Sequence, residues 1–175
     1  MAATNPNNIN SVPALLSSES RPRLPKKLTL KNIRSYKEVE INFPEGSLIL
    51  TGDIGSGKTS ILLAIEYSLF GLQPGQRGAS LLRNGTNNAY VALELEVEGK
   101  NILIERKLKR NHKTITNEYA SITIDNEKVE ASLTEIKIKI LEWMGYPREF
   151  IKKNNLLYRY TVYTPQEQMK QIILE

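Results

Sequence analysis

The residues best suited to chemistry form one glycine-rich stretch, Gly52-Asp53-Ile54-Gly55-Ser56-Gly57-Lys58-Thr59-Ser60. It fits the phosphate-binding pattern G-x-x-x-x-G-K-[ST] at every fixed position. Its three glycines permit positive φ angles, so successive backbone amides can surround a phosphate group. In this pattern the lysine contacts the β- and γ-phosphates of a nucleotide, and the threonine hydroxyl binds Mg²⁺. The stretch therefore predicts a nucleotide-binding loop.

The flanking residues predict the strand and the helix that such a loop needs. Residues 47–51 are short, apolar and strand-like. After the loop, Ile61, Ile65 and Leu69 recur at helical spacing, and Gly71 is placed to end the helix. A glycine loop that leads into a helix N-terminus forms an anion-binding site, because unpaired amides and the helix dipole point at the anion.

Composition and charge narrow the class of protein. The chain has 175 residues, of which 40% are hydrophobic and 25% are charged, as in an ordinary globular domain. It has no cysteine, which excludes disulfides and thiolate metal sites within it. Asn, Ser and Pro dominate residues 1–26, which we expect to form a flexible tail. No apolar run reaches the length of a secretory signal or a membrane span, so we expect a cytoplasmic or nucleoid-associated protein without membrane contact.

Alternating apolar and polar residues predict strands on both sides of the loop. A first strand opens at Leu28 and a second covers 38–43, with a turn between them. Further strands are predicted at 90–97, 102–104 and 119–124, with a polar loop between the last two. Residues 88–130 are therefore expected to form an antiparallel β subdomain.

A capping box predicts a helix after this subdomain. Ser132 is followed by Glu135 three residues later, apolar residues share one face as far as Met144, and Gly145 ends the helix. The alternation of isoleucine and lysine at 136–140 leaves a strand as the alternative.

The C-terminal residues predict a strand at 158–163 and a second capping box, Thr164 with Glu167. The helix that starts there runs to the last residue, so we expect the chain to be the front part of a longer protein. This order of elements is typical of ABC-class ATPases. The phosphate loop and its helix are followed by antiparallel strands, then by a helix, and then by a strand that precedes a glutamine.

Three blocks of the sequence resemble the SbcC/Rad-fifty ATPases of double-strand-break repair, which are relatives of the structural-maintenance-of-chromosomes (SMC) proteins. The first block is 28–36, with the turn Asn32-Ile33-Arg34-Ser35. The second is the phosphate loop with its helix, 52–71. The third is Tyr163-Thr164-Pro165-Gln166-Glu167, which stands where the family has its Q-loop.

The resemblance implies a fold and a division of the chain. The fold is α/β, a P-loop NTPase of the ABC/SMC type with a mixed sheet and an antiparallel β subdomain, of which this chain is the N-terminal lobe. A nucleotide-binding lobe spans 27–163, with the phosphate loop at 52–60. Residues 164–175 hold the Q-loop and the start of a helix that leads to a coiled coil.

The resemblance also implies the site residues, with ATP and Mg²⁺ as cofactors. Arg34 and Ser35 contact the nucleotide beside the loop. Thr59 and Gln166 bind the metal ion, and Gln166 also orients the attacking water, which makes Lys58 and Gln166 catalytic. The other implied nucleotide contacts are Ile54, Gly55, Ser56, Gly57 and Ser60. Many members of the family have asparagine in place of Ile54, so one hydrogen bond to the phosphate end is expected to be lost here.

Parts that the family needs for hydrolysis are missing from the sequence. No apolar run ends in Asp-Glu, there is no Ser-Gly-Gly signature, and the only histidine, His112, lies in a basic loop. In the family these parts lie in a C-terminal lobe of the same protein, and ATP joins two heads and controls a nuclease subunit. The resemblance therefore implies these three partners and an ATP hydrolase that is inactive as an isolated lobe. The alternative is a nucleotide-gated binding module that does not hydrolyse ATP.

Six basic residues and one acid lie between Lys100 and Lys113. Basic side chains at the tip of a hairpin can follow DNA phosphates without reading sequence. The charge pattern therefore predicts contact with double-stranded DNA, and the alternative is a solvated loop. The residues expected to make this contact are Lys107, Lys109, Arg110 and Lys113.

Overall fold

The computed structural model describes residues 25–46, 48–72, 78–97, 99–112, 114–129 and 132–143. Several sequence predictions lie outside the described residues: the tail as far as residue 24, the helix end at Gly145, the strand at 158–163, the second capping box, Lys113 and Gln166.

Six strands form one antiparallel sheet in the described part of the chain. In chain order they are β1 (Lys27–Ile33), β2 (Tyr36–Asn42), β3 (Asn88–Val97), β4 (Lys100–Asn111), β5 (Thr114–Ile124) and β6 (Glu127–Val129). Their order across the sheet is β2-β1-β3-β4-β5-β6. β1 pairs with both β2 and β3, so β2 lies at the edge of the sheet and β3 further in. The connection from β2 to β3 contains the phosphate loop and its helix.

The polar stretch at 105–118 forms strand and not the predicted loop. β4 runs to Asn111 and β5 starts at Thr114, so only two residues separate the strands. Successive side chains of a strand point to opposite faces, and buried Leu108 accordingly lies between two exposed lysines. The prediction was wrong because these polar residues occupy the open face of a sheet whose other face is covered.

Helix α1 (Lys58–Phe70) covers that other face. Ala64, Tyr67 and Phe70 are buried on the helix, and the helix contacts β1, β3 and β4. Gly71, at φ 72°, ends the helix as predicted. The fully buried apolar residues of the strands beneath include Leu28, Leu30, Ile33, Val91, Ile104, Leu108 and Ile122.

A buried arginine from β4 holds the C-terminal end of α1. Arg106 is 2% exposed, and its Nε donates to the Ser68 carbonyl at 2.7 Å and its Nη2 to the Leu69 carbonyl at 3.1 Å. The Gly71 amide donates to the Tyr67 carbonyl at 2.8 Å. The last four carbonyls of a helix have no partner within it, so these three bonds satisfy most of the helix end. The arginine thereby ties the phosphate-loop helix to the middle of the sheet.

Helix α2 (Leu133–Trp143) follows the sheet. The Ser132 amide donates to Glu135 Oε2 at 2.7 Å, and the Glu135 amide donates to Ser132 Oγ at 3.3 Å. The bond from the Ser132 amide, and to a smaller extent the Ser132 hydroxyl, lowers the pKa of the Glu135 carboxyl. Ile136 and Ile140 are buried. The capping box and the helix are confirmed, and the strand alternative is wrong.

The strand predicted at 47–51 is not formed by residues 48–51. A strand is stable only when its amides and carbonyls pair with a neighbour, and no described strand pairs with this segment. Two of its apolar side chains are left in contact with solvent, with Leu48 42% and Ile49 82% exposed. The sequence pattern was apolar enough for a strand, but it carries no information about the neighbour.

Candidate nucleotide-binding site

The phosphate loop enters α1 through three glycines with positive φ angles. They are 142° at Gly52, 88° at Gly55 and 98° at Gly57. Gly57 is the N-cap residue of α1, no side chain caps this helix end, and its first turn contains no acid. The first amides of the helix and the positive end of its dipole therefore face an anion without competition from a side chain.

The Lys58 ammonium lies inside this loop. Its Nζ donates to the Gly52 carbonyl at 2.6 Å, to the Asp53 carbonyl at 2.8 Å and to Ser56 Oγ at 3.1 Å. The loop backbone curls around the ammonium, which places a full positive charge next to the unpaired amides. This combination of charge and amides fits a polyphosphate.

The turn between β1 and β2 forms the opposite wall of the site. It carries Arg34 and Ser35, both exposed, and together with the loop it encloses a cavity of about 470 Å³. The predicted site residues that line this cavity are Arg34, Ser35, Ile54, Gly55, Gly57, Lys58, Thr59 and Ser60. Ser56 contacts Lys58 from within the loop. The β1–β2 turn and the phosphate loop, which are separate blocks in the sequence, therefore line one cavity.

Tyr36 fixes the distance between the turn and the loop. A Cβ atom built on Gly57 would lie 2.5 Å from the Tyr36 hydroxyl oxygen and 2.8 Å from its Cζ. The phenol ring thus packs directly on the Gly57 backbone, and no side chain fits between them. The sequence carries no signal for this contact between Tyr36 and Gly57.

The residues present fit a metal ion that arrives with the nucleotide. Thr59 lines the cavity with an exposed hydroxyl. Mg²⁺ in nucleotide sites is held by a few protein side chains together with substrate phosphates, and the Thr59 hydroxyl beside the phosphates would supply one of these ligands. Among the described residues no three His, Cys, Asp or Glu side chains are grouped to hold an ion. Gln166, the other predicted ligand, lies outside the described residues.

Arg83 is a further residue at this site that the sequence did not single out. Its Nη1 donates to the carbonyls of Ser35 at 2.6 Å and Arg34 at 3.1 Å. In the sequence it is one arginine of a glycine-rich loop, so nothing distinguishes it from a solvated side chain.

Those predicted DNA-binding residues that the structure describes lie on two faces of the sheet. Lys107 and Lys109 are exposed on the open face, whereas Arg110 points to the opposite side and donates Nε to a main-chain carbonyl. Lys109 is paired with Glu118 at 2.7 Å, and Lys107 Nζ lies 5.3 Å from the centre of a tyrosine ring. Arg106, which belongs to the same basic run, is buried in the core. Lys107 and Lys109 are therefore exposed to solvent on the same face of the sheet.

A protein-family model described as "AAA domain" matches residues 27–175. The chain belongs to this AAA domain family. The match covers both walls of the cavity and the strands that carry them.

Curated relatives of this AAA domain include repair ATPases. A "DNA double-strand break repair Rad50 ATPase" of Methanococcus maripaludis is 30% identical over 149 residues, which are 85% of this chain and 14% of the relative. The SbcC component of the nuclease SbcCD of Clostridium acetobutylicum is 30% identical over 126 residues, 67% of this chain and 10% of the relative. The chain thus spans about a seventh or less of these relatives. The expected resemblance to SbcC/Rad-fifty ATPases is confirmed.

A solved structure shows the fold of this AAA domain. It comes from work on ATP-driven dimerisation and DNA-stimulated activation of SMC ATPases, and it matches 85% of this chain and 97% of its own chain with a TM-score of 0.55 and 24% identity. The α/β P-loop fold of the ABC/SMC type is therefore confirmed. Among the described residues, neither α1 nor α2 has the length and apolar character that a membrane-spanning helix requires.

Proposed function

We propose that this chain is the N-terminal ATP-binding lobe of an SMC-like DNA-repair ATPase. In this proposal it binds ATP with Mg²⁺, and a C-terminal lobe of the same protein is needed to hydrolyse it. The observation that carries the proposal is the cavity shared by the phosphate loop and the Arg34–Ser35 turn. The repair ATPases among its relatives support the choice of ATP.

We propose a binding role for each wall of the cavity. The loop amides and the amides at the start of α1 donate to phosphate oxygens, and Lys58 neutralises the β- and γ-phosphates. Arg34 approaches the same phosphates from the turn and adds a second cation. Thr59 holds Mg²⁺, which when bound offsets phosphate charge and orients the leaving group. Ile54, fully exposed at the cavity mouth, offers no polar group.

Hydrolysis requires groups beyond these. We assign the water-orienting role to Gln166, and the acids that would complete the metal site to the C-terminal lobe. Among the described residues, Leu48 and Ile49 are exposed and no strand pairs with them, which supports this lobe, because a neighbouring strand would bury both side chains and pair their backbone. We therefore propose that the isolated lobe binds ATP without turning it over.

The remaining assignments concern division and assembly. We propose residues 1–26 as a tail, 27–163 as the lobe, 88–130 as its β subdomain, and 164–175 as the Q-loop leading to a coiled coil. A second head would join under ATP, and exposed apolar Ile54 at the cavity mouth supports such a contact. A nuclease partner, suggested by the name of the SbcCD relative, would be the other protein bound. The location would be the cytoplasm or the nucleoid.

Binding of fluorescent ATP to the 175-residue chain, with and without Mg²⁺, tests the nucleotide site. Lys58→Ala should weaken binding by about a hundredfold, since one charge-assisted contact to a phosphate pair contributes roughly 3 kcal/mol. Lys100→Ala, an exposed lysine at the start of β4, is the matched control and should bind as the parent. Equal binding by both variants would contradict the proposal.

Adding the C-terminal lobe decides between the two functions. Lys58-dependent ATP hydrolysis by the two lobes together supports the repair ATPase. Binding without any Lys58-dependent turnover would leave the nucleotide-gated binding module.

Contact with double-stranded DNA is proposed through Lys107, Lys109, Arg110 and Lys113. The two exposed lysines share the open face of the sheet, where they can reach phosphates without reading bases. Reversing Lys107 and Lys109 to glutamate should weaken binding to duplexes of unrelated sequence equally and should reduce the salt dependence by about two phosphate contacts. If the variant binds DNA as the parent does, Lys107 and Lys109 do not form the DNA-binding surface.

A further inference from the structure

The turn that carries Arg34 has a backbone that its residues disfavour. Asn32 lies at φ 54° and Arg34 at φ 48°. Asparagine tolerates this left-handed region, but a long side chain such as arginine rarely occupies it, since its Cβ approaches the carbonyl oxygen. Glycine is the usual residue in such tight hairpin turns. Arg34 is therefore held in place by its surroundings.

The segment Leu81–Arg83 supplies that support. Ile33 and Leu82 form an antiparallel bridge, in which the Arg34 amide donates to the Leu81 carbonyl at 2.8 Å and the Arg83 amide donates to the Asn32 carbonyl at 2.9 Å. These bonds fix the start of the turn. They leave the carbonyls of Arg34 and Ser35 to be satisfied by another donor.

The Arg83 side chain is that donor. A guanidinium nitrogen carries two hydrogens in a rigid plane, and Nη1 directs them to two consecutive carbonyls, Ser35 at 2.6 Å and Arg34 at 3.1 Å. Fixing both carbonyls fixes the two peptide planes of the turn. The directions in which the side chains of Arg34 and Ser35 leave the backbone are fixed with them.

Arg83 acts on this turn and not on the phosphates. It does not line the phosphate cavity, and instead lines a neighbouring cavity of about 450 Å³ on the other side of Arg34. We propose that Arg83 is a positioning residue that locks the Arg34–Ser35 turn in its disfavoured conformation and so aims Arg34 at the nucleotide phosphates. This inference rests on the proposed function, because it assigns Arg34 to the phosphates.

A double-mutant cycle on the 175-residue chain tests it, with fluorescent ATP as the probe. Arg83→Ala and Arg34→Ala should each weaken binding about tenfold, the effect of one charge-assisted hydrogen bond. The double variant should be no more than about threefold weaker than Arg34→Ala alone, since a residue that acts through another cannot lose the same contact twice. Asn84→Ala, the exposed neighbour in the same loop, is the control and should bind as the parent.

Arg83→Lys guards against a loss of folding. Its ammonium can still donate to both carbonyls, so ATP binding should recover at least in part, and urea unfolding checks that each variant is folded. If the losses of affinity caused by Arg34→Ala and Arg83→Ala multiply in the double variant, Arg83 acts independently of Arg34. If Arg83→Ala binds ATP as tightly as the parent, Arg83 has no role in binding. Either result overturns the inference alone, provided that Lys58→Ala still weakens ATP binding by about a hundredfold. Loss of that Lys58 dependence would instead overturn the proposed function and this inference with it.

Discussion

Replacing Arg106 tests how the phosphate-loop helix is attached to the sheet. Its guanidinium donates to the carbonyls of Ser68 and Leu69 in the last turn of α1. Arg106→Ala removes both donors and leaves two helix carbonyls in the core without a partner. We expect the protein to lose stability because the helix end and the sheet lose their polar connection.

The structure sets the size of the loss. Hydrogen bonds that involve a charged group contribute about 1.5–3 kcal/mol each, so two give roughly 3–6 kcal/mol. Burial of the charge, which lowers the pKa of Arg106, offsets part of that gain, because a desolvated cation is costly. The net expected loss is about 3–4 kcal/mol, a large share of the 5–15 kcal/mol that stabilises a typical domain.

Urea unfolding followed by circular dichroism measures this loss. Arg106→Met keeps much of the buried volume but no donor, and should lose about 2 kcal/mol. Lys107→Ala, the next residue on the open face, is the control and should lose no more than its exposed cation–π contact, about 0.5–1 kcal/mol. If Arg106→Ala is as stable as Lys107→Ala, the guanidinium does not hold the helix end and the reasoning fails.

Two further predictions concern the loop and the second helix. Gly57→Ala should cost about 2–3 kcal/mol of stability in urea unfolding and weaken ATP binding, because φ is 98° and the new Cβ meets the Tyr36 ring. Tyr36→Phe should not rescue it, since the ring carbon stays 2.8 Å from that Cβ, and full recovery would contradict the contact. For Glu135, the hydrogen bonds from Ser132 lower the pKa of its carboxyl below the ordinary 4.5. These bonds therefore stabilise the folded protein fully at pH values above that ordinary pKa, and their contribution is lost as pH falls through the folded-state pKa. Glu135→Gln should then lose less stability on acidification than the parent. Equal losses in the two proteins would show that the Glu135 carboxylate does not contribute to the pH dependence of stability.

Local patterns in the sequence determined the phosphate loop, the helix that follows it, the capping box at Ser132 and most of the strands. Each of these depends on neighbouring residues: glycines permit the loop angles, helical spacing puts apolar residues on one face, and a serine and a glutamate three residues apart satisfy the first amides of a helix. The family resemblance added Arg34 and Ser35, which no local rule would have linked to the loop. The structure brings them to the same cavity.

The tertiary structure alone decided what the basic and apolar residues outside those patterns do. Arg106 and Lys107 are adjacent in sequence, but strand alternation sends one into the core and the other to solvent. Arg83 gains its contact with the turn only because β1 and β3 are neighbours in the sheet, which brings residues about fifty positions apart together. The segment at 48–51 shows the converse, since an apolar sequence becomes a strand only when another strand lies beside it. Pairing and burial depend on partners distant in the chain, and a single sequence does not specify them.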